Sequence, residues 1–376
     1  MLLRKFFESD AAPLQISCSV FPAFGNNPSS KKSLMPGTPF LHANHSSDSK
    51  VIVYNSPSNS INSSTTLDLT VGRVFGSSIL LSKLNNPEEL SKKDFIYEIK
   101  PDHDGKILLE ADSSGKKIYY IESLEEIHSP ENINLLCDAK SSLGRLGIMS
   151  DDKNFEYRRH SPRAKVISSV QPFAFPIIIT PGKSSIVAAA ARMRNSDFLS
   201  SEEVIKSDEI RLLESGNEVN KASRLSPDGL TMHFNTHIAY RAKRYPEPID
   251  IDSPLKYNPE DYFDVIEGNG RLILDPKRFY LLGTNEEISL GNVFGYITRQ
   301  TATTGSDLWV HFAGQIREGF RGEITMECLS QNKRLIEKGD YAGFVKFDSI
   351  DSLGTPYNGV YQNQRAPTLP RFFTNF

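Results

Sequence analysis

Two short segments of this chain carry residue types that can do polar chemistry. In "KSSLGRLGIM", Lys140 to Met149, two cations bracket two hydroxyls, and a glycine lets the backbone turn close to a bound group. Lys140 and Arg145 supply charge, while Ser141, Ser142 and nearby N–H groups supply short hydrogen bonds. This set suits phosphate oxygens, because charge-assisted bonds to anions are the stronger class. The same string also fits a Ser/Gly-rich turn with a solvated Lys and Arg. In "GFRGEITMEC", strand alternation puts Glu323, Thr325 and Glu327 on one face and Ile324, Met326 and Cys328 on the other. One face can pack while the other presents carboxylates to a pocket, or to solvent at a half-exposed strand.

Other polar strings are weaker. "HFNTH", His233 to His237, has metal-like spacing but no HExxH glutamate, and reads better as a polar strand face. "HANH" at His42 lies in a polar arm. Cys18, Cys137 and Cys328 are far apart with no CxxC pairing. That argues against a zinc site or a disulfide framework and suits a reducing cytoplasm.

The elements that position these residues read mostly as β. Short runs such as "KIYYIE", "FPIIIT", "RLILD", "RFYLLG" and "YAGFVKF" are broken by Gly, Pro, Asn and Asp, the spacing of sandwich or barrel modules. "SSEEVIKSDEIRLLES" is the best helical segment, with Ser200 and Glu203 placed for a capping box. Residues 24–66 are rich in Ser, Asn and Pro and read as a flexible arm, with order expected from "LDLTVGRVF" at Leu67.

The chain also repeats itself. The segment from Ile118 aligns without a gap on the segment from Phe279, at an offset of 161 residues, with Tyr119 on Tyr280 and the EEI triplets coincident. Lys140, Ser141, Ser142 and Arg145 then fall on Thr301, Ala302, Thr303 and Ser306, so the second copy lacks both cations. With one gap, Ser169 falls on Glu327, so the first copy lacks the carboxylate. The expected organisation is an arm over 1–66, a first module with a helical linker over 67–225, and a second module over 226–376.

At 376 residues the length suits two domains, and a net charge of −3 gives no support for nucleic-acid binding by bulk charge. No apolar run is long enough for a membrane span. The start, with early basic and acidic residues and a proline-broken apolar run, predicts no signal peptide.

In their order, these motifs resemble the deoxycytidine triphosphate deaminases of the trimeric dUTPase superfamily, in a two-module form. The resemblance rests on "LDLTVG", "KSSLGRLGIM", "GFRGEITMEC" and "PYNGVYQNQRAPTLPRF", with "AYRAKRY", "YNPEDYFDVI" and "RLILDPKRFYLL" between, and extends from Leu67 to the C-terminus. It implies a mainly β fold, two tandem dUTPase-like distorted β-barrel modules with few short helices. The implied reaction turns dCTP into dUTP and ammonia without zinc, whose deaminase signature is absent.

The resemblance also implies roles. Glu327 would be the general acid/base, with a pKa expected to be raised by partial desolvation. Lys140, Ser141, Ser142 and Arg145 would hold phosphates, Lys140 standing where the family has arginine. The hairpin "HFAG", with Ala313 and Gly314, would read the base through its backbone. Tyr357, Tyr361 and Gln364 would close over the phosphates. Mg²⁺ would arrive through the substrate triphosphate, and a cytoplasmic homo-oligomer is implied. Three departures stand out: Val360 replaces a lysine, Arg317-Glu318 replaces Asp-Pro, and the charged "SDDKNFEYRRHSPRAK" replaces the first hairpin. The alternatives are a dUTP diphosphatase, a bifunctional dCTP-to-dUMP enzyme, or a silent nucleotide-binding regulator. Because each module keeps a different half of the toolkit, the site is expected to be composite, between modules within a chain or across chains.

Overall fold

Alternating apolar side chains between frequent turn residues can be buried efficiently only by pairing strands into curved sheets. The computed structural model describes residues 40–42, 50–54, 66–77, 96–128, 133–150, 164–193, 198–244, 246–298, 307–349 and 356–374. Among them the strands gather mainly into a nine-stranded and an eleven-stranded sheet.

Ten strands carry the architecture. The first module contains β1 (Thr66–Ser77), β2 (Ile118–His128), β3 (Ile133–Ala139), β4 (Ala164–Pro172) and β5 (Ser185–Met193). The second contains β6 (Gly229–Ala242), β7 (Arg278–Leu290), β8 (Val293–Thr298), β9 (Arg321–Ser330) and β10 (Tyr341–Ser349). In the first, β2 pairs with β1 and β4, and β5 pairs with β1 and β3. In the second, β7 pairs with β6 and β9, and β10 pairs with β6 and β8. One antiparallel pattern is used twice. The helices are short: α1 (Ser141–Gly144), α2 (Ser201–Lys206) and α3 (Pro259–Tyr262).

The repeat read from the sequence is a repeat of register. The β2/β4 ladder slips between Glu122 and Glu126, and the β7/β9 ladder slips between Gly283 and Glu287. The coincident glutamates explain the slip. Glu125 accepts the backbone N–H of Thr70, and Glu286 accepts that of His233. Each buried carboxylate satisfies a backbone donor on the neighbouring strand, β1 or β6, beside the bulge. Ser169 faces Tyr120 as Glu327 faces Leu281, so these two positions are equivalent in the fold. The counterparts Thr301, Ala302, Thr303 and Ser306 lie outside the described residues.

Two boundaries differ from the sequence reading. The capping box at Ser200 and Glu203 is present, but α2 ends at Lys206. The chain then extends as strand Ile210–Glu214, which pairs with β7 of the second sheet. Ile210 and Leu212 are buried while Arg211 is exposed, a period of two that the open edge of β7 selects over helix. The linker thus belongs with the second module and not with 67–225. Within the polar arm, "KVIVY" forms strand Lys50–Tyr54 against β2, so order begins before Leu67; its β-branched residues outweigh the composition around them.

The modules share a core. Phe263, Phe279, Phe312, Phe372 and Phe373 of the second module lie in the same buried cluster as Leu143, Phe173 and Phe175 of the first. A smaller core fills the second barrel, around Phe234, Leu282 and Met326. No helix among the described residues is long and apolar enough to cross a membrane.

Candidate active site

β3 ends at Ala139, and α1 makes one turn before Arg145. Leu143, Leu146 and Ile148 are fully buried in the shared core and anchor that turn. Their anchoring carries Ser142 and Arg145 to the seam between modules. From the other side, Ile324, Met326 and Cys328 pack inside the second barrel, so the opposite face of β9 turns Glu327 toward the same seam. A cleft of about 300 Å³ results. Lys140, Ser141, Ser142, Arg145, Ala313, Glu327, Tyr357, Tyr361 and Gln364 all line it. Arg145 and Glu327 therefore share a cleft within one chain.

Gly314 sits behind this wall. Its N–H donates to Asp138 Oδ2 at 2.6 Å, and its carbonyl accepts from Ile297 N–H at 2.8 Å. It braces the hairpin, and Ala313 is the hairpin residue at the cleft. Asp138, on β3 of the first module, thereby holds a loop of the second.

Glu327 is almost wholly buried, with Oε2 accepting the Phe312 N–H at 3.1 Å and lying 2.8 Å from His311 Nδ1. The expected rise in its pKa does not occur. Burial pushes the carboxyl up, but the His311 charge and hydrogen bond, Arg145 and the Phe312 N–H together hold it below the usual carboxylate range. These partners favour the carboxylate form of Glu327.

The residues expected to cradle phosphates are held by the C-terminal segment. Ser142 Oγ and Tyr361 OH are 2.7 Å apart, and the Arg145 guanidinium lies over the Tyr361 ring at 3.7 Å. Arg145 also donates to Gln364 Oε1 at 3.2 Å and to the Ser141 carbonyl at 3.2 Å, while its Nε is buried without a partner. Lys140 is ion-paired with Asp68. The acidic face of β9 is not solvated either. Glu323 accepts the Ala366 N–H, and Thr325 accepts the Thr368 N–H, so the C-terminal segment covers it.

"HFNTH" lies within β6, but register shifts on either side keep its residues from sharing one polar face. His233 is buried with Nδ1 2.6 Å from Glu286 Oε1, whereas His237 is exposed. The opposed environments rule out a shared ligand role for this pair.

Comparison with known proteins agrees with this architecture. Residues 38–185 match the family described as dCTP deaminase-like, and residues 200–336 match the 2'-deoxycytidine 5'-triphosphate deaminase C-terminal domain. A protein of Persephonella marina named "dCTP deaminase, dUMP-forming" is 31% identical over 140 residues, covering 34% of this chain and 74% of that protein. The chain belongs to the dCTP deaminase family. A dCTP deaminase of Sulfurisphaera tokodaii is 29% identical, over 31% of this chain and 65% of that protein. The crystal structure of 2'-deoxycytidine 5'-triphosphate deaminase from Agrobacterium tumefaciens shares the fold, with a TM-score of 0.61 at 20% identity over 76% of this chain and 90% of that one.

Within this dCTP deaminase fold, sequence reasoning missed His311, Asp138 and Asp68. His311 adopts a left-handed backbone with φ of 65°, and its own N–H donates to the Glu327 carbonyl at 2.6 Å. "HFAG" was legible as a hairpin, but a side chain turned by left-handed backbone onto a neighbouring strand leaves no periodic trace.

Proposed function

We propose that this chain hydrolyses dCTP to dUTP and ammonia in the cleft between its modules. The observation that carries this reading is a buried Glu327 carboxylate in the same cleft as Ser142 and Arg145. Glu327 accepts a proton from water as the water oxygen bonds to C4 of cytosine. It returns that proton to N3, and the 4-amino group then receives a proton from the new C4 hydroxyl by way of Glu327. Ammonia leaves as the C4 carbonyl forms and the N3 proton stays on uracil. His311, with Nδ1 beside Oε2, holds the carboxylate in place. Ala313 faces the base, while Ser141, Ser142 and Arg145 hold phosphates with Tyr357, Tyr361 and Gln364 closing over them.

The cation missing at Val360 is offset, because Arg317 and Arg371 also line the cleft. The carboxylates there are committed, Asp68 to Lys140 and Glu327 to His311. Mg²⁺ would therefore enter with the triphosphate, keeping much of its water. Among the described residues lining the cleft, no further carboxylate stands ready to activate a second water at the phosphates, which disfavours pyrophosphate release. Self-association, implied by the resemblance, would add to a site that one chain already lines on both sides.

The test is to incubate purified chain with dCTP or dUTP and Mg²⁺ and follow ammonia and pyrophosphate. Ammonia release from dCTP, reduced about 10²–10⁴-fold in Glu327→Gln, is expected. Pyrophosphate from either nucleotide would favour the dUMP-forming or diphosphatase reading. Binding without turnover would leave a silent regulator.

A further inference from the structure

A second cavity, of about 660 Å³, lies between the modules on another face. Five cations line it: Lys117 from the first module and Lys243, Arg244, Lys277 and Arg278 from the second. Its one carboxylate, Glu110, is paired with Lys117. Lys243 is 3.9 Å from Asp264, and Arg278 donates to the Ala242 carbonyl. Among the described residues, Arg244 and Lys277 have no carboxylate within ion-pair distance. Burial, with Arg241 and Arg244 nearby, pushes the Arg278 guanidinium below its ordinary value. Five cations against one lining carboxylate repel one another, and an anion joining them relieves that repulsion.

The backbone points the same way. Lys277 follows Pro276 in a turn and holds φ of 55°, a conformation that glycine adopts without strain. A lysine holds this conformation despite the strain, at the rim of a cavity already rich in positive charge.

We propose that this cavity binds a polyphosphate anion, either a free chain or the phosphates of a nucleotide, at a site separate from the dCTP cleft. Several hydrogen-bonding cations around one concavity suit multiple phosphates better than a single carboxylate. The rings beneath it connect it to the cleft. Phe173 and Phe279 line the cavity and each lies 5.5 Å from Phe312, whose N–H holds Glu327. Phe173 N–H also donates to the Gly147 carbonyl, just past the Ser141–Arg145 turn. A ligand in the cavity presses on packing that both halves of the cleft share.

The single tryptophan provides the readout, since the Trp309 ring meets Phe173 edge-on at 5.1 Å. The full chain is titrated with inorganic tripolyphosphate, and separately with ATP, following Trp309 fluorescence. A saturable change is expected, weakened at least about tenfold in Arg244→Glu/Lys277→Glu and unchanged in Lys333→Glu/Lys338→Glu, two exposed lysines outside the cavity. Tighter binding of ATP would identify a nucleotide site, and equal binding a phosphate-chain site. No saturable change overturns the proposal, as does a double variant that titrates like the parent, or a control pair that weakens equally. The titration needs no turnover, so it stands or falls separately from the deaminase reading. Where dCTP turnover is measurable, ATP should alter it in the parent and not in the Arg244/Lys277 variant; binding without that effect overturns the link through Phe312.

Discussion

At the scale of single residues, the cleft is a contact between one glycine and one carboxylate. A Cβ built on Gly144 would lie 2.7 Å from Ala313 Cβ and 3.0 Å from Glu327 Oε1. The first is closer than real Cβ contacts come and the second is tight, so the glycine lets α1 of one module lie against β9 and its hairpin in the other. Gly144→Ala should leave the chain folded yet lower deamination by about 10²-fold or more, because a displaced hairpin misplaces Glu327. Adding Ala313→Gly removes the closer contact and should restore part of the rate, a coupling read by a double-mutant cycle on kcat. Additive losses would show that crowding at Ala313 is not the cause.

At the scale of elements, the slipped ladders and their buried glutamates recur in both modules, and Glu125 makes the bulge pH-sensitive. Burial raises the Glu125 carboxyl, against the hydrogen bonds from Thr70. A carboxyl whose folded pKa exceeds its unfolded value adds stability below the unfolded pKa, and that stability is lost as pH rises through the folded pKa. Glu125→Gln keeps an acceptor for the Thr70 N–H but does not titrate. Relative to this variant, the parent should therefore gain stability as pH falls from 8 to about 4, read from urea midpoints. A constant difference across that range would sink the argument. These bulges also explain which features were legible in the sequence. The repeated EEI triplet marked the duplication because a bulge demands a buried acceptor at one fixed position. Glu327 was legible through alternation on β9. Asp138, which braces Gly314 from 176 residues away, was not, because only tertiary pairing brings it there. The strand at Ile210 was masked by the capping box just before it, a strong local signal that fixes where a helix starts but not where it stops.

For the whole molecule, the duplication has become a division of labour that one chain completes. The modules are not separable, since Phe372 and Phe373 from the end of the chain and Phe263 and Phe279 lie in the core that anchors Leu143. Neither module alone holds both the Ser141–Arg145 turn and Glu327. This gives a test of where the site is assembled. Arg145→Ala loses the guanidinium that meets Tyr361 and Gln364, and Glu327→Gln loses the base, so each variant alone should be nearly inactive. If the cleft were formed between chains, co-folding an equal mixture would pair intact Arg145 from one chain with intact Glu327 from the other and recover about a quarter of the sites by random mixing of two subunit types. With both halves on one chain, every chain in the mixture carries one defect, and no assembly repairs it. The expected outcome is that the co-folded mixture stays as inactive as its components, while parent chain diluted equally with either variant keeps activity in proportion to its share. Recovery in the mixture would place the working site across chains and overturn the single-chain cleft.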